Sequence, residues 1–386
     1  MSWPTVPIHS VCIAAVDCVN RTAPVVDHET PYKMIRTTNV KLGFIDTVNV
    51  RHVTRETYER WTRRLVPQKG DVVLTREAPL GDVGRVTTDD KIFLGQRLFH
   101  YRADPEKLDS EFLAYVLQSP QVQGKIRGYG FGATVEHAKV GDCLNLPIPL
   151  PPLPEQRKIG EVLSAYDDLI ENNRRRIALL EQAARLLYRE WFVHFRFPGH
   201  ETAKFADGLP EGWVTTALGE KAQILKGRNI TKETVNPGSV PVVAGGLKPA
   251  YFHDTANVKG PVVTISASGA NAGHVAIYFE DIWASDCSYL SVTTNPDLFF
   301  IHQLLLENAA KIRAMQKGAA QPHVYPKDLQ RMDVTLPTRE IINQFVQLLD
   351  PIYNQIQSLG KQNAQLAEAR DLLLPRLMDG RIPVKV

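Results

Sequence analysis

Hydrophobic and polar positions along the chain follow two different rhythms. In two stretches, apolar residues recur at alternating steps of three and four, the spacing of a coiled-coil seam. The first runs Ile159, Val162, Tyr166, Leu169, Asn173, Ile177, Leu180, Ala184, Leu187 and Trp191. Its consecutive steps of four at Asn173 predict a stutter that locally unwinds the supercoil. The second runs Ile342, Phe345, Leu349, Ile352, Ile356, Leu359, Asn363, Leu366, Arg370, Leu373 and Leu377 without a break. Pro tolerates only the first turn of a helix, so the first helix is expected to start near Glu155, just after Leu150-Pro151-Pro152-Leu153-Pro154. By the same rule Pro351 kinks the second helix or marks its start. Forty helical residues would span ~60 Å. A single such stripe would suit an ordinary helix core. Two of them in one chain bury most simply against each other, as an antiparallel coiled coil.

Elsewhere the rhythm is that of short strands: Asp71-Val72-Val73-Leu74-Thr75 and Pro261-Val262-Val263-Thr264-Ile265, each entered through a Gly. Helical stretches are expected near Ser110–Leu117 and Asp297–Glu307. These segments repeat. Lys125-Ile126-Arg127, Gly132-Ala133, His137, Asp142 and Leu150-Pro151 reappear 186 positions on as Lys311-Ile312-Arg313, Gly318-Ala319, His323, Asp328 and Leu336-Pro337. Upstream the offset widens: 189 for Ala78 and Gly84 against Ala267 and Gly273, 208 for Phe44 and Asp46 against Phe252 and Asp254, and 210 for Trp3 against Trp213. Most of the drift falls between Thr47 and Gly70. This reads as a basic insertion of roughly eighteen residues in the first copy, carrying Arg51, Arg55, Arg60, Arg63 and Arg64. Glu56 and Glu59 in the same stretch leave two readings open: an amphipathic surface helix with i,i+4 pairs, or a phosphate clamp. The fold class is therefore α/β in the mixed α+β sense, two tandem domains separated by two long helices. The expected boundaries are 1–152, 153–197, 198–337 and 338–386.

Composition adds less. A net charge of +3 permits nucleic-acid binding without arguing for it. Cys12, Cys18, Cys143 and Cys287 show no CxxC or ligand spacing, which favours a reducing, cytoplasmic setting. No apolar run is long enough for a membrane span, and the first residues lack the regions of a secretion signal. There is no phosphate-binding Gly-x-x-x-x-Gly-Lys-Ser/Thr and no His-Glu-x-x-His. Asn295-Pro296-Asp297-Leu298 lacks the second Pro and the aromatic of an adenine-methyltransferase motif and reads as a turn before a helix. No catalytic residue, metal or cofactor is expected in this chain.

The strings Pro151-Pro152-Leu153-Pro154-Glu155-Gln156-Arg157-Lys158-Ile159, Leu187-Tyr188-Arg189-Glu190-Trp191-Phe192-Val193-His194-Phe195, Leu209-Pro210-Glu211-Gly212-Trp213 and Leu372-Leu373-Leu374-Pro375-Arg376-Leu377-Met378-Asp379-Gly380 resemble conserved regions of type I restriction–modification specificity subunits. The second helix departs from the pattern, beginning Leu336-Pro337-Thr338-Arg339-Glu340-Ile341-Ile342 without the Pro-Pro and Glu-Gln of the first. The resemblance implies a non-catalytic DNA-binding subunit whose two target-recognition domains each read half of a bipartite site. It also implies two docked methyltransferase (modification) subunits that carry the methyl-transfer chemistry, and two restriction/translocase subunits. A protein–protein scaffold, or the recognition half of a severed restriction–methylation enzyme, would be the alternatives.

Phosphates are held by Lys and Arg, and base edges are read by Arg, Lys, Asn, Gln, Ser, Thr, His or aromatics. In the first domain the candidates are Arg76 and Arg85, expected to flank a Gly81–Gly84 turn, then Lys125, Arg127, Tyr129, Thr134 and His137. The second offers Lys226 and Arg228, then Ser266, Ser268, Asn271 and His274, and finally Lys311, Arg313, Lys317, Gln321 and His323. Any one of these taken alone would also suit a solvated surface.

Overall fold

The computed structural model describes residues 3–41, 43–130, 136–318 and 321–385. These form two compact units, Met1–Glu171 with Asn363–Val386, and Asn172–Gln362. In the first unit, β1 (Cys12–Asp17), β2 (Val72–Arg76), β3 (Leu80–Arg85) and β4 (Leu98–Ala103) make an antiparallel sheet in the order β1-β4-β2-β3. In the second, β5 (Leu225–Lys226), β6 (Val262–Ser266), β7 (Val275–Tyr278) and β8 (Cys287–Ser291) repeat that order as β5-β8-β6-β7. Each unit adds a three-stranded sheet whose central strand pairs antiparallel on one side and parallel on the other. The central strands are Tyr32–Ile35 and Pro237–Val243. The repeat seen as spaced identities is thus a repeat of topology.

The topology re-registers the first part of the repeat. Strands Arg51–His52 and Tyr251–His253 occupy the same place. In each, the imidazole Nδ1 lies within hydrogen-bond distance of the backbone N and O of one residue, Thr30 for His52 and Asn236 for His253. His52 therefore matches His253, and the extra residues of the first copy are split around it rather than gathered after Thr47. Those after it hold helix α1 (Arg55–Trp61), capped by the Thr54 side chain accepting from the Thr57 N–H. The expected turn at Gly81–Gly84 is instead strand β3. Gly84 is needed there because a Cβ would sit 2.7 Å from the Phe44 carbonyl oxygen of the crossing chain.

Helices α2 (Ser110–Gln118) and α4 (Leu298–Glu307) lie where the periodicity placed them. The long helices are α3 (Leu153–Phe192) and α5 (Arg339–Met378), and α5 runs on through Pro351. They pack antiparallel in each unit. Ile159 and Leu163 share a core with Leu374, Leu377 and Met378 in the first, and Tyr188, Trp191 and Phe192 share one with Ile342, Phe345 and Leu349 in the second. The seam of α5 is the predicted one, with every position from Ile342 to Leu377 buried or half-buried. That of α3 is shifted by one residue in its first half. Leu163, Asp167 and Ile170 are buried, Val162 and Tyr166 only half-buried, and Leu169 is 51% exposed. With Leu163, Asp167 and Ile170 on the seam, the consecutive steps of four lie between Ile159 and Asp167, not at Asn173 where they were expected.

Each globular part meets the helices through a polar joint, and the two joints differ. At the start of α3, Gln156 is buried. Its Oε1 accepts from the Asp109 N–H at 2.9 Å, and its Nε2 donates to the carbonyls of Lys107 and Pro151. About three turns further along α3, the Tyr115 hydroxyl donates to Asp167 at 2.5 Å, and Arg370 of α5 pairs with the same carboxylate. In the second unit Ile342 stands 186 positions after Gln156. There Asp297, before α4, instead pairs with Lys221 at 2.6 Å and with Arg339, the first residue of α5. Burial alone would raise the Asp297 carboxyl, but the two cations outweigh it and lower its pKa. The altered start of the second helix is thus a salt bridge where the first has an amide. Tyr353 likewise replaces Asp167 and Ala184 replaces Arg370. The Tyr353 hydroxyl lies 2.6 Å from His302 Nδ1 and accepts from Gln303 Nε2 at 2.8 Å.

Candidate nucleic-acid interface

In the first unit the sequence-derived cations divide by what holds them. Arg76, closing β2, donates from Nη1 to the Ala138 carbonyl at 3.1 Å. Arg85, closing β3, pairs with Glu111 of α2 at 2.6 Å. Lys125 donates to the Pro147 carbonyl at 3.1 Å, and Tyr129 packs half-buried against the core, where burial raises its hydroxyl pKa. These groups tie the sheet to its helices. Arg127 and His137 are exposed, and His137 is bridged through its backbone to Glu77 beyond β2. Thr134 lies outside the described residues.

The second unit keeps more of its candidates free. Ser266 is buried and donates to the Gly245 carbonyl at 3.0 Å, and Ser268 is bonded to Asp286. Five of the others line two clefts. One, about 250 Å³, brings Asn271 and His274 from the β6–β7 connection against Arg313. The other, about 670 Å³, brings Lys226 and Lys317 together with Tyr325, Lys327 and Arg331. Lys317 is neutralised by Asp328 at 2.8 Å, so the net positive charge of that groove comes from Lys226, Lys327 and Arg331. Tyr325, 49% exposed, stacks on His323 with ring planes 16° apart. Tyr325, Lys327 and Arg331 were not among the sequence candidates. Their signal was the i,i+4 spacing of Lys327 and Arg331 just after Pro326. Arg228 lies over the Trp283 ring at 5.9 Å, while Trp283 Nε1 donates to the Arg228 carbonyl at 2.8 Å. Between Lys226 and Arg228 only glycine fits, because a Cβ on Gly227 would lie 2.1 Å from the Ser285 carbonyl oxygen. Lys311 and Gln321 are exposed.

Exposed cations beside amide, imidazole and phenol groups can grip phosphates and meet base edges. Burial pushes the thiols of Cys12, Cys143 and Cys287 up to about 12, far from thiolate formation at neutral pH. Among the described residues no group of three or more His, Cys, Asp or Glu could hold a metal ion. No described helix is long and apolar enough to cross a membrane.

A family model described as "Type I restriction modification DNA specificity domain" matches twice, over residues 23–182 and 210–368. The type I restriction enzyme MjaIX specificity subunit of Methanocaldococcus jannaschii is 25% identical over 360 residues, covering 87% of this chain and 82% of its own. The MjaVIII specificity subunit of the same organism is 28% identical over 350 residues, covering 84% and 81%. The crystal structure of a type I restriction–modification S subunit from M. genitalium shares the fold, with a TM-score of 0.60 at 17% identity. That match covers 100% of this chain and 97% of the other.

Proposed function

The chain belongs to the type I restriction–modification DNA-specificity family, and from that premise we propose that it reads a bipartite duplex sequence on behalf of partners that carry the chemistry. Residues 1–152 and 198–337 are the two readers. Residues 153–197 and 338–386 are the spacer helices on which two modification subunits dock, with restriction subunits beyond them, all in the cytoplasm. The observation that carries this reading is the duplication. One strand order is built twice on equivalent helices, yet the polar groups at matching positions differ. Lys125 is tied to Pro147 whereas Lys311 is exposed, and Arg85 is paired with Glu111 whereas His274 stands open. A common frame with unlike exposed groups suits two unlike half-sites.

The test is reconstitution with the modification subunits. The complex is expected to bind one two-part duplex sequence in preference to a scrambled one, with an affinity that falls steeply with salt. Equal binding to both duplexes would refute it. Methylome sequencing of the host with and without the gene would then report the motif and its spacer.

A further inference from the structure

Helix α1 and its flanks, present only in the first copy, form a built element. Tyr58 packs on Tyr32 with ring centroids 5.0 Å apart, and Thr62 is buried with its hydroxyl donating to the Tyr58 carbonyl at 2.8 Å. Tyr58 and Trp61 cover a small core of Ala23, Met34, Val53 and Phe93. The basic residues on this element have separate fates. Arg55 pairs with Glu59 at 2.7 Å, and Arg64 pairs with Asp17. Arg60 and Arg63 instead turn towards Arg21 from the loop after β1. Together with Val19 and Trp61 these three line a cleft of about 320 Å³ whose walls hold no carboxylate. All three are exposed and none has an ion pair among the described residues. Arg60 lies over the Trp61 ring at 5.6 Å, which fixes its position without neutralising it.

Three like charges held in one cleft by a folded element repel one another and attract an anion. The guanidinium fork matches the oxygens of a phosphate. We propose that Arg21, Arg60 and Arg63 form a phosphodiester clamp through which the first recognition domain grips the DNA backbone, adding affinity without choosing sequence. The inference rests on the DNA-specificity reading and sharpens it. The second copy joins His253 to β6 by a shorter segment in which Lys259 is the only Lys or Arg, so the extra grip belongs to one half-site alone.

The test uses the full chain in complex with its modification subunits. Anisotropy titrations would be run from about 50 to 200 mM salt on the recognised duplex and on a duplex of scrambled sequence. At ~0.9 per phosphate contact, the triple variant R21A/R60A/R63A is expected to lower the slope of log K against log salt by about 2 to 3 on both duplexes. The ratio of affinities for the two duplexes should stay unchanged. R55A, on the same helix but already paired, should leave the slope where it was. The clamp is overturned by a wild-type slope in the triple variant, by an equal fall in R55A, or by lost assembly with the modification subunits at unchanged slope, which would mark a protein-docking patch instead. A wild-type complex that binds both duplexes alike would refute the specificity reading while the slopes still decide on the clamp.

Discussion

Acidification should loosen the second unit through one side chain, His302. It is buried on α4, its Nδ1 lies 2.6 Å from the Tyr353 hydroxyl, and that hydroxyl already accepts from Gln303. With its own proton directed to Nδ1, the hydroxyl suits only a neutral imidazole, and burial holds the ring neutral by lowering its pKa to about 4. A histidine whose folded pKa is depressed contributes stability above its unfolded pKa of about 6.5 and loses it as pH falls toward the folded value. At ~1.36 kcal/mol per unit, the whole loss is about 3 kcal/mol by pH 4, of which about 2 kcal/mol falls between pH 7 and 5. Urea titrations of wild type and His302→Phe at both pH values, followed by tryptophan emission, would measure it. Trp191 and Trp213 report from the same core. The variant should be about 1 kcal/mol weaker at pH 7 through the lost hydrogen bond, yet should lose about 2 kcal/mol less than wild type on going to pH 5. Contributions from the rest of the chain are common to both proteins and cancel. Equal pH slopes in the two proteins would refute the reasoning.

Three further outcomes are expected. Arg370→Ala strands the buried Asp167 carboxylate with Tyr115 as its remaining partner. It should destabilise the first unit by about 3 to 5 kcal/mol in urea unfolding, with Asp167→Asn in the same chain recovering part of the loss. Phe345→Ala empties a fully buried site ringed by Tyr188, Trp191, Phe192 and Phe300, and should cost about 3 to 5 kcal/mol by the same measurement. Replacing Lys226, Lys327 and Arg331 by Gln should weaken duplex binding by the reconstituted complex and lower its salt slope by up to about 3, measured by anisotropy, without changing thermal stability.

How much was legible follows from the range of each interaction. The duplication, the two long helices and the seam of α5 were readable because periodicity and fixed offsets are properties of the chain itself. The seam of α3 was misplaced because periodicity prefers an apolar residue. It chose Tyr166 and passed over Asp167, whose burial depends on Arg370, a partner 203 positions away. The same limit governs the candidate interface. Glu59 beside Arg55 could be read locally, but Asp17 beside Arg64, Glu111 beside Arg85 and the Pro147 carbonyl beside Lys125 could not. Only the tertiary structure separates cations that close the fold from those left for a ligand. The turn expected at Gly81–Gly84 failed for a related reason. Those glycines serve a neighbouring chain segment and not a reversal of direction.

The two joints also constrain how such a gene can change. Asp167 and Arg370 flank the whole second half of the chain, so a recombination crossover between them joins a first half to a foreign partner for its buried carboxylate. Exchanging 198–337 alone keeps that pair together but brings in a new residue at 302 to meet the resident Tyr353. New specificities are therefore inherited most safely as cassettes already matched at the residues facing the helix, and positions 297 and 302, opposite Arg339 and Tyr353, are where their compatibility is decided.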